Sequence, residues 1–216
     1  LCGNNATIIN CTFIRNTAAS QGGGICCGND ATISNCTLIE NKVACVRRGR
    51  GGGIRCGSNV TISDCSLIGN IVESSDQAFG GGIQCDINVI IDGCTIIGNK
   101  SRQKGAGIYC GPLANIKNSI VAGNTGISLE SGTGIFCTDS SEITNCTIIG
   151  NLGAGVIDMN SSTISNSIIR GNWGGQIIGD SNVVYSCVEG GYFGNGNIDV
   201  DPCFVQPGYW GDVGDP

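Results

Sequence analysis

Two intervals, nine residues and then five, recur along this chain and leave it little freedom in how to fold. A first column of residues, Cys2, Cys27, Cys56, Cys85, Cys110 and Cys137, is followed nine positions later by Cys11, Cys36, Cys65, Cys94, Ser119 and Cys146. Five positions further stand Asn16, Asn41, Asn70, Asn99, Asn124 and Asn151. Two degenerate copies keep the spacing: Asp158, Ser167 and Asn172, then Ile178 and Cys187, with Tyr192 in the Asn place. Self-similarity at periods of roughly 20–50 residues means stacked units. Length varies only between the Asn column and the next Gly, where the gaps run 8, 12, 12, 8, 10, 4 and 3 residues. Insertions confined to one point of a repeat map to loops on one face.

The fixed part of each copy is strand-like. Ile8, Ile33, Ile62, Ile91, Ile116, Ile143, Ile164 and Val184 lie six after the first column, and Phe13, Leu38, Leu67, Ile96, Val121, Ile148 and Ile169 two after the second. Short β-branched runs broken by Asn and Gly, which tolerate left-handed turn backbone, predict strands and tight corners. No apolar stripe at helical period is present. Each copy is then one coil, stacked on the next at about 4.8 Å, and eight coils make a rod about 35–40 Å long. Inward side chains become ladders, and stacked Asn amides hydrogen-bond from rung to rung. A second, patchier Asn column precedes the second Cys column: Asn10, Asn35, Asp64, Asn118, Asn145 and Asn166.

Composition closes off other classes. The 216 residues carry 17 acids against 11 bases, a net charge of −6, and no His. A general nucleic-acid binder would be basic, and His-based catalysis or metal ligation is excluded outright. With 40% hydrophobic and 13% charged residues the chain is too apolar for disorder. No apolar run is long enough for a membrane helix, so membrane insertion is not expected.

The motifs resemble a known group. Gly-Gly-Gly-Ile and Phe13-Ile14-Arg15-Asn16, with its Leu/Ile-x-Gly-Asn variants, are similar to the repeats of right-handed parallel β-helices: the pectate-lyase-like superfamily, and the GGAI/FxxN repeats of polymorphic outer-membrane proteins and autotransporter adhesins. The stretch Gly194 to Val205 resembles the ending of β-helix domains in large secreted bacterial proteins, including those of planctomycete type, where Leu usually stands in the place of Cys203. The resemblance implies an all-β right-handed parallel β-helix of about eight coils, residues 1–188, with 189–216 as a C-terminal cap or extension of the same domain. It also implies an extracellular or cell-surface setting. Leu1 enters mid-coil and the chain stops at Pro216, so both ends look cut; the expected partners are further segments of the same polypeptide or identical subunits.

The resemblance also offers catalysis by a lyase or polygalacturonase. The first needs clustered acids for Ca²⁺ and an Arg or Lys base, and the second needs paired carboxylates. No Asp-Asp pair occurs, and the acids scatter on the repeat frame. Asp158, in the place of a column cysteine, is read either as an inward carboxylate or as a point where the coil wall opens to solvent. The expectation is a non-catalytic structural or adhesive segment. The alternatives are a fibre subunit assembling end to end, and a polysaccharide-binding or polysaccharide-degrading β-helix with its active coils elsewhere.

Several residue sets remain. The column cysteines are expected as free, buried thiols, with a disulfide staple or metal array as alternatives. Cys26 and Cys45 lie off the columns, where a tether between them is plausible. The insertion loops carry Arg47, Arg48, Arg50, Lys100, Arg102 and Lys104 around Glu73 and Asp76. Either they form an inter-loop ion-pair strip or, with Arg55, they bind an anionic surface polysaccharide. No cofactor is expected apart from a weak Ca²⁺ candidate at Asp199 and Asp201. Some of Tyr192, Phe193, Phe204, Tyr209 and Trp210 are expected to fold over the last coil, with Cys203 packed near Cys187. Sequons such as Asn145-Cys146-Thr147 are ascribed to the repeat rather than to glycosylation.

Overall fold

The computed structural model describes residues 1–126 and 133–204. Every strand pairing in it is parallel, and no helix occurs among the described residues. One sheet stacks eight strands from Thr7–Ile9 to Asn182–Val184, and a second stacks eight from Thr12–Ile14 to Cys187–Val188. A third stacks seven from Ile25–Cys26 to Ile177–Ile178. The chain visits the three in turn, so each circuit adds one rung to each sheet. The insertion loops pair among themselves, giving a five-stranded sheet that starts at Thr17–Ala18 and a two-stranded one, Arg48–Arg50 with Gln77–Phe79.

Successive side chains alternate faces, so the three-residue strands of the first two sheets turn their central side chain inward, while those of the third, such as Ile54–Cys56 and Ile108–Cys110, turn their first and last inward. Ile33, Ile62 and Ile91 in the first sheet, Leu38, Leu67 and Ile96 in the second, and Ile54, Ile83 and Ile108 in the third are all fully buried. Burying one such side chain stabilises by about 1.5–3 kcal/mol. One coil repeats this burial in all three sheets, so the interior is a set of aliphatic ladders in exact vertical register.

The corners are left-handed. Asn10, Asn35, Asp64, Asn118, Asn145 and Asn166 hold φ between 50° and 55° between the first and second sheets. This is the patchy Asn column: Asn and Asp tolerate that backbone because their short polar side chains bond locally. The corner entering the first sheet is also left-handed, at Asn59 and Asn88 and, less expectedly, at Leu113 with φ 61°. Glycine has a different task before the third sheet. There the coils approach so closely that a Cβ on Gly52 would collide with the Gly81 carbonyl.

Two polar columns run inside the wall. Each ladder Asn accepts two bonds on Oδ1, from the backbone N–H and the Nδ2 of the Asn one coil earlier: Asn41 on Asn70 at 2.9 and 3.0 Å, Asn70 on Asn99 at 2.9 Å for both. The ladder from Asn16 to Asn172 ends at Gln176, whose Oε1 takes the next place by accepting Asn172 Nδ2 at 2.7 Å. In the second cysteine column a sulfur or hydroxyl accepts a backbone N–H from the coil before at several rungs, Cys36 on Cys65 at 3.4 Å, Cys94 on Ser119 at 3.1 Å and Cys146 on Ser167 at 3.1 Å. Cys and Ser are interchangeable there because both supply an acceptor and a donor.

The last coil departs from the sequence frame. Ile178 pairs with Ile157 rather than with Asp158, and Val183, not Val184, pairs with Ile164. Cys187 pairs with Ile168 and so lies outside the second column, whose place Ser186 takes by accepting Ser167 N–H at 3.2 Å. The turn between Ile178 and Val183 is two residues shorter than its predecessor between Ile157 and Ile164. The residues expected to cap the last coil divide. Tyr192 does pack against the core, but Phe193 and Phe204 are exposed. Cys203 is exposed with its thiol on the Asp201 carbonyl, while Cys187 Sγ meets Val200 O. Tyr209 and Trp210 lie outside the described residues.

Candidate ligand-binding face

The outward side chain of each third-sheet strand is the variable residue of Gly-Ile-x-Cys. Register stacks Cys26, Arg55, Gln84, Tyr109, Phe136 and Ile157 in one row up the wall. The row is polar at its lower rungs and aromatic above them. Phe79, on the neighbouring loop strand, stacks on Tyr109 with centroids 5.0 Å apart, and Tyr109 stacks on Phe136 at 5.4 Å and 7°. Lys104 Nζ stands 4.6 Å from the Phe136 ring centroid, a cation–π contact. Burial raises the Tyr109 phenol above its ordinary range, and Cys110 and Asp86 push the same way against Arg50.

Below the rings Arg55 Nη2 pairs with Asp86 Oδ2 at 2.9 Å, and its other terminal nitrogen donates to the Cys56 carbonyl. Gln84 donates to Cys85 O at 3.3 Å and Asp86 Oδ1 at 3.4 Å. Three buried polar atoms here, Gln84 Oε1, Thr138 Oγ1 and Arg55 Nε, have no partner. An unsatisfied buried acceptor costs about 1–3 kcal/mol, so each is a position where an incoming group would be rewarded. Gln84 and Thr138 line a cleft of about 420 Å³ together with Arg50, Phe79, Asp86 and Tyr109.

The basic residues expected to bind an anion divide. Arg50, Arg55 and Lys104 converge on this face. Arg47 and Arg48 are exposed on the loop strands, and Lys100 and Arg102 border a second hollow of about 650 Å³ beside Val72. None of that hollow's lining residues holds an unpartnered buried polar atom. The loops do hold the ion pair Lys42–Glu73, at 2.7 Å. Gln84, Tyr109, Phe136, Phe79 and Thr138 were not singled out by sequence reasoning. The signal was present, since a residue flanked by inward Ile and inward Cys on a strand must point outward.

Other candidates resolve differently. Asp158 is inward and buried, in register with Cys137, and no solvent opening exists at that point. Its oxygens accept Asn160 N, Ser162 N, Ser162 Oγ and Ser181 Oγ at 2.7–3.1 Å. All fifteen cysteines are free, so Cys26 and Cys45 are not tethered. Asp199 is engaged by Arg170 at 2.8 Å and Asp201 by Cys203 N at 2.9 Å. Among the described residues no group of three Cys, Asp or Glu side chains could hold a metal ion.

Over residues 1–173 the chain matches the family model described as Right handed beta helix region, and it belongs to that family. No curated protein and no solved structure matches it.

Proposed function

We propose that this solenoid is a non-catalytic, adhesive segment of an extracellular or cell-surface protein, and that it binds a polysaccharide along the outer face of the third sheet. The observation carrying this reading is the continuity of the Phe79–Tyr109–Phe136 stack with a cleft that holds unpartnered buried acceptors. Aromatic faces supply flat apolar area, and Gln84 Oε1 and Thr138 Oγ1 supply acceptors for hydroxyl donors. Binding rather than cleavage is favoured because Asp86 is the one carboxylate among the described residues that line the cleft, and it is held by Arg55. Glycoside hydrolysis ordinarily needs two carboxyl groups across the scissile bond.

The test is affinity electrophoresis and glycan-array binding of the wild type and of Tyr109→Ala, with parallel assays for reducing ends and unsaturated products. Retardation by at least one polysaccharide, lost in the variant and without product, is the expected result. Equal binding by the variant, or product above background, would overturn the reading.

A further inference from the structure

The inward row of the third sheet, behind the binding face, is a column of thiols. Cys56, Cys85, Cys110 and Cys137 follow one another in strict register and are fully buried. Their Cβ atoms start parallel, an arrangement that by itself keeps sulfurs apart. The side chains nevertheless converge: Cys110 Sγ lies 3.3 Å from Cys137 Sγ. Adjacent parallel strands hold Cα atoms about 4.8 Å apart, inside the range of about 4.4–6.8 Å that a disulfide spans. Parallel Cβ atoms stand about 4.8 Å apart, a few tenths of an ångström beyond the ~3.5–4.5 Å of a relaxed disulfide, so closing the remaining gap takes side-chain rotation with a small approach of the two strands.

We infer that Cys110 and Cys137 form an oxidation site, closing to a disulfide that staples one coil to the next directly behind Tyr109 and Phe136. This goes beyond the glycan-binding reading and does not depend on it. With hydrogen peroxide as oxidant, one thiolate attacks an oxygen; an S–O bond forms, the O–O bond breaks and hydroxide leaves. The second sulfur then displaces the hydroxyl of that sulfenic acid, forming S–S and breaking S–O, and its proton leaves with the oxygen as water. Two thiols and one peroxide yield one disulfide and two waters. The step is slow at neutral pH, because the hydrogen bond with the Cys137 thiol, and then burial, raise the Cys110 thiol well above its ordinary range and only the thiolate attacks. It accelerates as pH rises.

The experiment treats reduced, intact protein with hydrogen peroxide at pH 8, alkylates in denaturant and maps the peptides by mass spectrometry. Cys203, the exposed cysteine, reports that oxidant reached the protein. The expected result is a Cys110–Cys137 linked peptide, two alkylatable thiols fewer in the column, and a raised thermal midpoint, since a 27-residue loop is closed in the unfolded chain. In Cys110→Ser the linked peptide and the thermal shift disappear. Oxidation of Cys203 while Cys110 and Cys137 both stay alkylatable would overturn the inference, as would linkage scattered among other cysteines. Both readouts come from the wild type and stand even if the variant folds poorly.

Discussion

Ser119 Oγ accepts the backbone N–H of Cys94 at 3.1 Å and donates to Lys117 O at 2.7 Å; two coils lower Cys65 Sγ makes the same two bonds, to Cys36 N–H and Ser63 O at 3.4 and 3.1 Å. The thiol in this column is therefore a corner-bracing group, and a hydroxyl can replace it. Cys65→Ser should change stability by less than about 1 kcal/mol, whereas Cys65→Ala leaves a buried N–H unpaired and should cost about 1–3 kcal/mol. Urea unfolding of the two variants decides this, and equal losses would refute the bracing role.

Alkali should weaken the fold through its buried thiols. Burial pushes Cys146 up to about 11 from an ordinary 9.0. A group raised in the folded state contributes stability that is complete below pH 9 and is lost as pH climbs through 11, because the unfolded chain ionises first. The loss for Cys146 is about 2–3 kcal/mol. Unfolding free energies measured from pH 7 to 11 under reducing conditions should fall more steeply for wild type than for Cys146→Ser.

Gln84 separates binding from stability. Its Oε1 has no partner in the free protein and its Nε2 makes only two long bonds, so Gln84→Met removes an unsatisfied buried acceptor at the loss of two weak contacts. Thermal stability should hold or rise slightly while polysaccharide binding falls at least tenfold, about 1.4 kcal/mol. A stability loss with unchanged binding would show that the amide is there only to brace Asp86.

Leu113 turns the corner into the first sheet with φ 61° and its side chain exposed. Left-handed backbone costs an ordinary L-residue about 1–2 kcal/mol, and glycine adopts it freely at some entropic cost. Leu113→Gly should stabilise by up to about 1 kcal/mol, and Leu113→Val, β-branched, should destabilise. Paired melting curves test the sign.

Most of the wall could be read from residue spacing, because a coil that stacks on identical coils cannot change length without breaking register. That is why Cys56, Ile62, Leu67 and Asn70 stand where intervals of nine and five place them. The last coil misled because its turn is two residues shorter and Cys187 happens to fall nine after Ile178. Gln176 as the end of the Asn ladder was hidden because a longer side chain reaches that place from a different backbone position. The face proposed to bind was hidden for another reason. Its row runs Arg55, Gln84, Tyr109, Phe136, which share a direction but no chemistry, so no repeated letter marks them. The cap was legible only in part, Tyr192 packing on the core while Phe193 points into solvent, because aromatic content says nothing of where a Gly-rich segment places each ring.

The insertions all leave the wall at one corner, between the Asn ladder and the third sheet, and that corner is braced on the ladder side by amides that do not take part in the loop. Doubling a flexible loop costs only about 0.6 kcal/mol in closure entropy. A loop at this corner can therefore lengthen, shorten or be exchanged while the rungs above and below keep their pitch. The architecture separates inheritance of shape from inheritance of specificity: the wall behaves as a ruler with fixed graduations, and each graduation has its own replaceable attachment. The side chains that such attachments contribute, as Arg50, Phe79 and Lys104 do here, can change one rung at a time without renegotiating the rest of the rod.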